Sequence, residues 1–344
     1  MKRNAAFDLV KLIAMFMVVL GHTIGYRPGF NLATTMSYPT NFIIATNMPL
    51  FFMVSGYFSD RLHTSLSWRK LIGRLICYFW PLAFFSVLFA TLDCFVWAKI
   101  QIVDIPIAIV RRFLFGGWFF YALAFCDVAT FLANCFGKKP EGIFSICVAC
   151  YMLVLLGSGR VWHAQNIVAM IPFYWFGLWV FPRLQSNVIP HLILILLGGA
   201  VMLFVTFFAG NIATNGLSFY WNRFDILHPN LKDMYLMFLR YAVGILGSLF
   251  VIYVVILTMK KLPFIHWLAF LGTETLGIYF LQGNIIQGFV NHITTLESSF
   301  YELFTVSAIV YILSFYFVKA TKMNRLIYII VWGKGLLGMP SKCQ

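Results

Sequence analysis

Residues 7–23 read FDLVKLIAMFMVVLGHT, an apolar run that carries an aspartate, a lysine and a histidine. With its flanks the run approaches the roughly 20 residues a helix needs to span a bilayer. Lys11 and His22 stand eleven positions apart. At about 100° per residue, that is three turns plus about 20°, so a helix presents both on one face. The rise between them is about 16.5 Å, roughly half the hydrocarbon thickness. A cation and an imidazole inside a span are costly, and together they point to a polar route through the protein. Asp8 precedes Lys11 by three residues, the spacing at which helical neighbours pair. Pairing offsets part of the roughly 3 kcal/mol that a lone lysine costs at mid-span.

Composition extends this reading to the whole chain. Of 344 residues, 61% are hydrophobic and 10% are charged. Soluble domains carry about 25% charged residues. No aqueous core accommodates this excess, so the expected class is an all-α, polytopic integral membrane protein resident in the lipid bilayer. The net charge of +14 raises nucleic acid as a partner. The basic residues, however, fall in short gaps between apolar runs, which excludes that class and fits membrane topology. Cys77, Cys94, Cys126, Cys135, Cys147 and Cys150 lie in apolar segments and Cys343 near the end, which is no secreted disulfide framework. Cys147 and Cys150 have CxxC spacing in an aliphatic run without further ligands, so they read as packing groups, not a metal or redox site. Asp8 and Lys11 also argue against a cleavable signal peptide, so the first run reads as a retained helix.

About ten spans are expected, over 6–26, 41–59, 75–97, 118–136, 142–157, 164–182, 190–210, 236–258, 264–286 and 300–319. An even number puts both termini on one side. If that side is cytoplasmic, inner segments hold sixteen of the 25 Lys and Arg and outer segments hold seven. Arg111 and Arg112 run against the bias, but the excess favours cytoplasmic termini. The longest outer segment, 211–235, mixes aromatic and charged residues and reads either as a functional loop or as a solvated connector. No soluble domain or internal repeat stands out, and 1–344 reads as one transmembrane domain.

Several residues invite chemistry. On this topology Lys11 falls in the inner half of its span and His22 in the outer half. A neutral imidazole there can take a proton from a hydroxyl. The plainer alternative is that Lys11 snorkels and His22 makes a structural hydrogen bond. The second span contains NMPLFFMVSGY, residues 47–57. It places Asn47 near the level of His22 and Ser55 near the inner end. Pro49 frees a backbone carbonyl, which is tolerated where it is buried or faces a cavity. Ser55 has no evident adjacent base, and small residues there suit close helix approach. Asp127 and Glu274 fall inside spans, whereas Asp93 and Arg240 read as lying near span ends and reaching the interface.

These segments resemble the acyltransferase-3 family of integral-membrane O-acyltransferases. That family's first helix carries an Asp, an Arg and then a His, and Asp8, Lys11 and His22 occupy those places. Lys keeps the charge and loses the bidentate fork of Arg. Residues 47–57 are similar to the family's MPLFF-x-x-SG-Y/F signature. Trp68, Arg69, Lys70 and Arg74 match its basic cluster, without the family's two arginines three apart. Gly117-Trp118-Phe119-Phe120-Tyr121 resembles its Trp-Phe motif, although Trp118 and Tyr121 equally suit an interfacial aromatic belt. Leu271-Gly272-Thr273-Glu274-Thr275-Leu276-Gly277-Ile278-Tyr279 resembles its LG-x-x-S-L-x-I-Y stretch, after which this chain has Gln282 where many members have a His.

The resemblance implies transfer of an acetyl group from cytoplasmic acetyl-coenzyme A, as co-substrate, to a carbohydrate hydroxyl outside the bacterial inner membrane. His22, Lys11 and Asp8 would be catalytic. Asn47, Trp118, Tyr121 and Gln282 would meet the glycan acceptor. Arg69, Lys70, Arg74 and Ser55 would meet the donor. No metal is implied. The rival reading is a transporter or flippase for a lipid-linked sugar or other solute.

Overall fold

A computed structural model of the chain describes residues 4–26, 38–63, 67–96, 99–136, 164–185, 193, 196–201, 231–293 and 299–333. Every regular element among them is helical. In chain order these are α1 (Ala5–Tyr26), α2 (Tyr38–His63), α3 (Trp68–Phe95), α4 (Ile105–Gly116), α5 (Trp118–Phe136) and α6 (Ala164–Trp175). There follow α7 (Phe181–Gln185), α8 (Leu231–Lys261), α9 (Thr275–Ile293), α10 (Phe300–Met323) and α11 (Arg325–Trp332). A π-helical turn, Phe176–Val180, joins α6 to α7, and a 3₁₀ segment, Pro263–Glu274, leads into α9.

Five described helices are long and apolar enough to cross a membrane: Ala5–Gly25, Trp68–Phe95, Leu239–Lys261, Pro263–Gly283 and Phe300–Met323. A bent pair, Ile102–Gly116 with Trp118–Leu132, makes up to six. The chain is therefore a multi-pass, all-α membrane protein. Span 142–157, most of 190–210, the loop over 211–230 and Cys147, Cys150 and Cys343 lie outside the described residues.

Two features depart from the sequence reading. Residues 105–116, expected in an outer loop, form α4. Pro106 suits a helix start, and Gly116-Gly117 ends the helix before a bend of 55° into α5. A Cβ on Gly117 would lie 2.6 Å from Leu82 Cδ2, so the Leu82 side chain would have to shift to admit one. Cys77 is disulfide-bonded, whereas the cysteines together read as no disulfide framework; Cys94, Cys126 and Cys135 form no disulfide. Its apolar helix supplied no sequence signal that the thiol was paired.

The chain divides into two compact units: Met1–Tyr57 with Pro172–Val318, and Phe58–Ile171 with Lys319–Gln344. In the first, α1 packs along the 3₁₀ segment, α9 and α8. Glycines make the closest approaches. A Cβ on Gly272 would fall on the Asp8 carbonyl, with Leu12 N at 3.1 Å. A Cβ on Gly56 would meet the Tyr174 carbonyl, and one on Gly177 the Met53 carbonyl. These reciprocal glycines seat α2 directly on the π-helical turn, the kind of small-residue contact that membrane helices use. The SG pair of the second span thus has a packing reason at Gly56.

In the second unit α3 packs against α4, α5 and α11. Asn324 caps α11, its Oδ1 accepting from Leu326 N at 2.9 Å and Ile327 N at 3.3 Å. Trp80 Nε1 donates to the Ile330 carbonyl at 2.8 Å, and Gly333 closes the helix at φ 65°, against the Trp80 ring. A side chain at that left-handed position would be strained as well as crowded.

Candidate functional site

The first unit holds the first-helix residues. Lys11 Nζ lies 3.6 Å from Asp8 Oδ1, so the i,i+3 spacing produces the pair it predicts. Asp8 is buried and Lys11 is partly exposed. Because the Gly272 approach falls on the backbone of Asp8 and Leu12, the 3₁₀ segment braces the turn that carries this pair. Here the Gly of the LG stretch does mechanical work for the first helix.

Three turns further on, His22 Nδ1 is within 2.9 Å of Gln282 Oε1 and 2.7 Å of Gln282 Nε2. Gln282 is buried in α9, which brings together residues 260 positions apart. The residues flanking His22 are also fixed. A Cβ on Gly21 would be 3.5 Å from Ile43 and 3.7 Å from Asn47 Nδ2, so α2 lies against α1 there. Thr23 Oγ1 donates to the Val19 carbonyl at 3.0 Å and accepts from Ser307 Oγ of α10 at 3.0 Å. Asn47 therefore stands beside the residue preceding His22, and its Oδ1 accepts from Met48 N at 2.7 Å. Ser55 is half-buried, and among the described residues no imidazole or carboxylate is hydrogen-bonded to it.

Arg240 corrects the sequence reading. It is 3% exposed and Nη1 donates to the Ala45 carbonyl at 3.0 Å, so it does not reach the interface. Helix α8 begins at Leu231, five residues before the expected span, which carries Arg240 deeper into the helix. The acceptor carbonyl is four residues before Pro49, whose ring nitrogen cannot take that carbonyl into a helical hydrogen bond. The guanidinium uses the acceptor so released.

The second unit holds the other candidates. Arg69 and Lys70 are exposed in the first turn of α3. Arg74 is committed inward: Nε lies 3.1 Å from Asp127 Oδ2, and Nη2 donates to Tyr78 Oη at 3.1 Å. Tyr78 Oη in turn donates to Asp127 Oδ2 at 2.9 Å. Asp127 is 1% exposed, a carboxylate that burial alone would make costly. Removing it takes this carboxylate from the Arg74 guanidinium and an acceptor from Tyr78. Asp127→Ala is expected to cost about 3 kcal/mol, read as a fall in the unfolding midpoint in detergent. An unchanged midpoint contradicts this role. Asp93, also buried, is bridged by Arg112 of α4, so neither it nor Arg112 behaves as a loop charge. Tyr121 Oη donates to the Phe113 carbonyl at 3.0 Å, and its ring meets Phe79 and Phe113. The Trp118 ring meets Phe119 edge-on.

Sequence reasoning did not find the His22–Gln282 bond, the Tyr78–Asp127 contact or the Thr23–Ser307 link. The one signal available was the presence of polar residues inside apolar runs. Among the described residues no group of three or more His, Cys, Asp or Glu gathers to hold a metal ion.

Helical spans, an ion pair and an imidazole bound to a glutamine within them define a multi-pass membrane protein with polar chemistry inside its spans. The family model described as an acyltransferase domain, acyltransferase-3, matches residues 4–319, and the chain belongs to that family. No curated protein and no solved structure matches it. The family consists of acyltransferases, so the protein is an enzyme of that class, consistent with an O-acyltransferase.

Proposed function

We propose that the protein moves an acetyl group from acetyl-coenzyme A to a hydroxyl of a carbohydrate, with the donor on the cytoplasmic side of the bacterial inner membrane and the acceptor on the outer side. The observation that carries this reading is the His22 imidazole, held by Gln282 in a spanning helix of a chain whose family transfers acyl groups. His22 takes the proton of the acceptor hydroxyl. The oxygen attacks the thioester carbonyl, a C–O bond forms, and the C–S bond breaks. The departing thiolate receives the proton from the imidazolium, and coenzyme A leaves as the thiol.

Lys11, steadied by Asp8, meets negative charge on the donor. Arg69 and Lys70, in the first turn of α3, supply donors to its phosphates, and Arg74 of the same helix is a guanidinium fixed by Asp127 and Tyr78. Asn47 orients the acceptor, and the aromatic surfaces of Trp118 and Tyr121 suit a sugar ring. Ser55 supports the approach of α2.

Thiol release from acetyl-coenzyme A with candidate glycans, using purified protein in nanodiscs, tests the reading. Release coupled to acetylated glycan is expected. Solute flux in liposomes without either product overturns it and favours a transporter. A second expectation concerns the donor. Lys11→Ala weakens donor affinity about tenfold, the scale of one lost charge-assisted contact, and Lys11→Arg retains it. Equal affinity of wild type and Lys11→Ala in equilibrium binding refutes the donor role.

A further inference from the structure

We propose that Gln282 is a positioning residue, which holds His22 in the neutral tautomer with its proton on Nδ1. The inference rests on reading His22 as the base and assigns Gln282 a role other than acceptor binding. His22 Nδ1 has both ends of the Gln282 amide within reach, Oε1 at 2.9 Å and Nε2 at 2.7 Å. The two contacts are alternatives. An Nδ1–H donates to Oε1, or a bare Nδ1 accepts from the amide N–H. In the second case the ring's proton is on Nε2, and a neutral ring has no second lone pair with which to take a hydroxyl proton. In the first case Nε2 carries the lone pair. Proton abstraction therefore requires Oε1 to face the ring.

Packing holds the residues on both sides of the ring. Gln282 is 1% exposed. Helix α2 lies against Gly21, the residue before His22, and Thr23 ties the residue after it to Ser307 of α10. The amide brings no charge into the span, which keeps its cost low. Positioning partners of this kind act by fixing a tautomer and an orientation.

The full chain in nanodiscs, labelled with ¹⁵N-histidine, tests this directly. The His22 signal is assigned by its loss in His22→Gln. The wild-type spectrum is expected to show a neutral ring protonated on Nδ1. Gln282→Met, similar in size and unable to hydrogen-bond strongly, is expected to shift the ring toward the Nε2–H form. The same variant lowers kcat about 30-fold, part of what a general base contributes, and leaves the acceptor KM within about twofold. Gln282→Glu can only accept when ionised, so it recovers most of the lost kcat. A wild-type ring protonated on Nε2, or a Gln282→Met effect confined to the acceptor KM, overturns the proposal. The reading of the whole protein fails separately. An Nδ1–H ring that responds to Gln282→Met in a protein with no acyl transfer supports the tautomer assignment and refutes the transferase reaction. The wild-type spectrum decides the matter even where Gln282→Met does not fold.

Discussion

His22→Ala lowers acyl transfer by about 10²- to 10⁴-fold, the range over which a positioned general base contributes, while the protein still folds. The change takes the hydrogen bond from the buried Gln282 amide, a loss of about 1–3 kcal/mol that a packed helical unit absorbs. The flanking anchors at Gly21 and Thr23 are backbone and neighbouring-residue features that the substitution leaves in place. The check is turnover of wild type and variant at matched amounts of folded protein, with donor affinity measured alongside. Loss of kcat at unchanged donor affinity is the expected pattern. Equal turnover removes His22 from the chemistry, whatever the fate of Gln282.

The second large effect is on stability. Gly272→Ala is expected to cost about 3 kcal/mol, at the upper end of overpacking penalties. The new Cβ meets the backbone carbonyl of Asp8, with Leu12 N close behind. A flexible side chain would swing aside, but backbone within a packed helix can yield only by moving the helix. The displaced turn carries Asp8 and Lys11, so donor affinity falls with the unfolding midpoint. Gly283→Ala supplies the control. It lies in the same apolar stretch, and its Cβ would meet nothing within 4 Å. There alanine is expected to stabilise the helix by about 0.5–1 kcal/mol. A Gly272→Ala protein as stable as wild type contradicts the close approach.

What the sequence disclosed and what it hid follow from the range of each interaction. The Asp8–Lys11 pair was legible because helical periodicity fixes neighbours three residues apart, whatever the rest of the fold does. The close approach at Gly56 was legible from residue size, although its partners, Tyr174 and the π-helical turn, were not. Helix boundaries decided two errors. Helix α3 begins at Trp68 and not at the expected 75, which places Arg74 nearly two turns inside and within reach of Asp127. Helix α8 begins at Leu231, which buries Arg240 against the Ala45 carbonyl. Polar residues at these ends looked like flanks because hydropathy weighs charge without seeing its partner. Helix α4 was hidden similarly, since Arg111 and Arg112 made an otherwise apolar segment read as a loop. The contact between His22 and Gln282 had no local signature at all. A tertiary pairing across 260 positions leaves no mark on periodicity.

Sealing donor and acceptor on opposite sides of a membrane tests the central claim most directly. Proteoliposomes of the purified protein enclose coenzyme A carrying an isotopically labelled acetyl group, and the glycan is supplied outside. The expected result is label on the outer glycan in amounts equal to the thiol formed inside, and almost none with His22→Ala. Label that reaches the glycan equally in His22→Ala, or an outer glycan that stays unlabelled while thiol accumulates inside, contradicts transfer across the membrane at this imidazole.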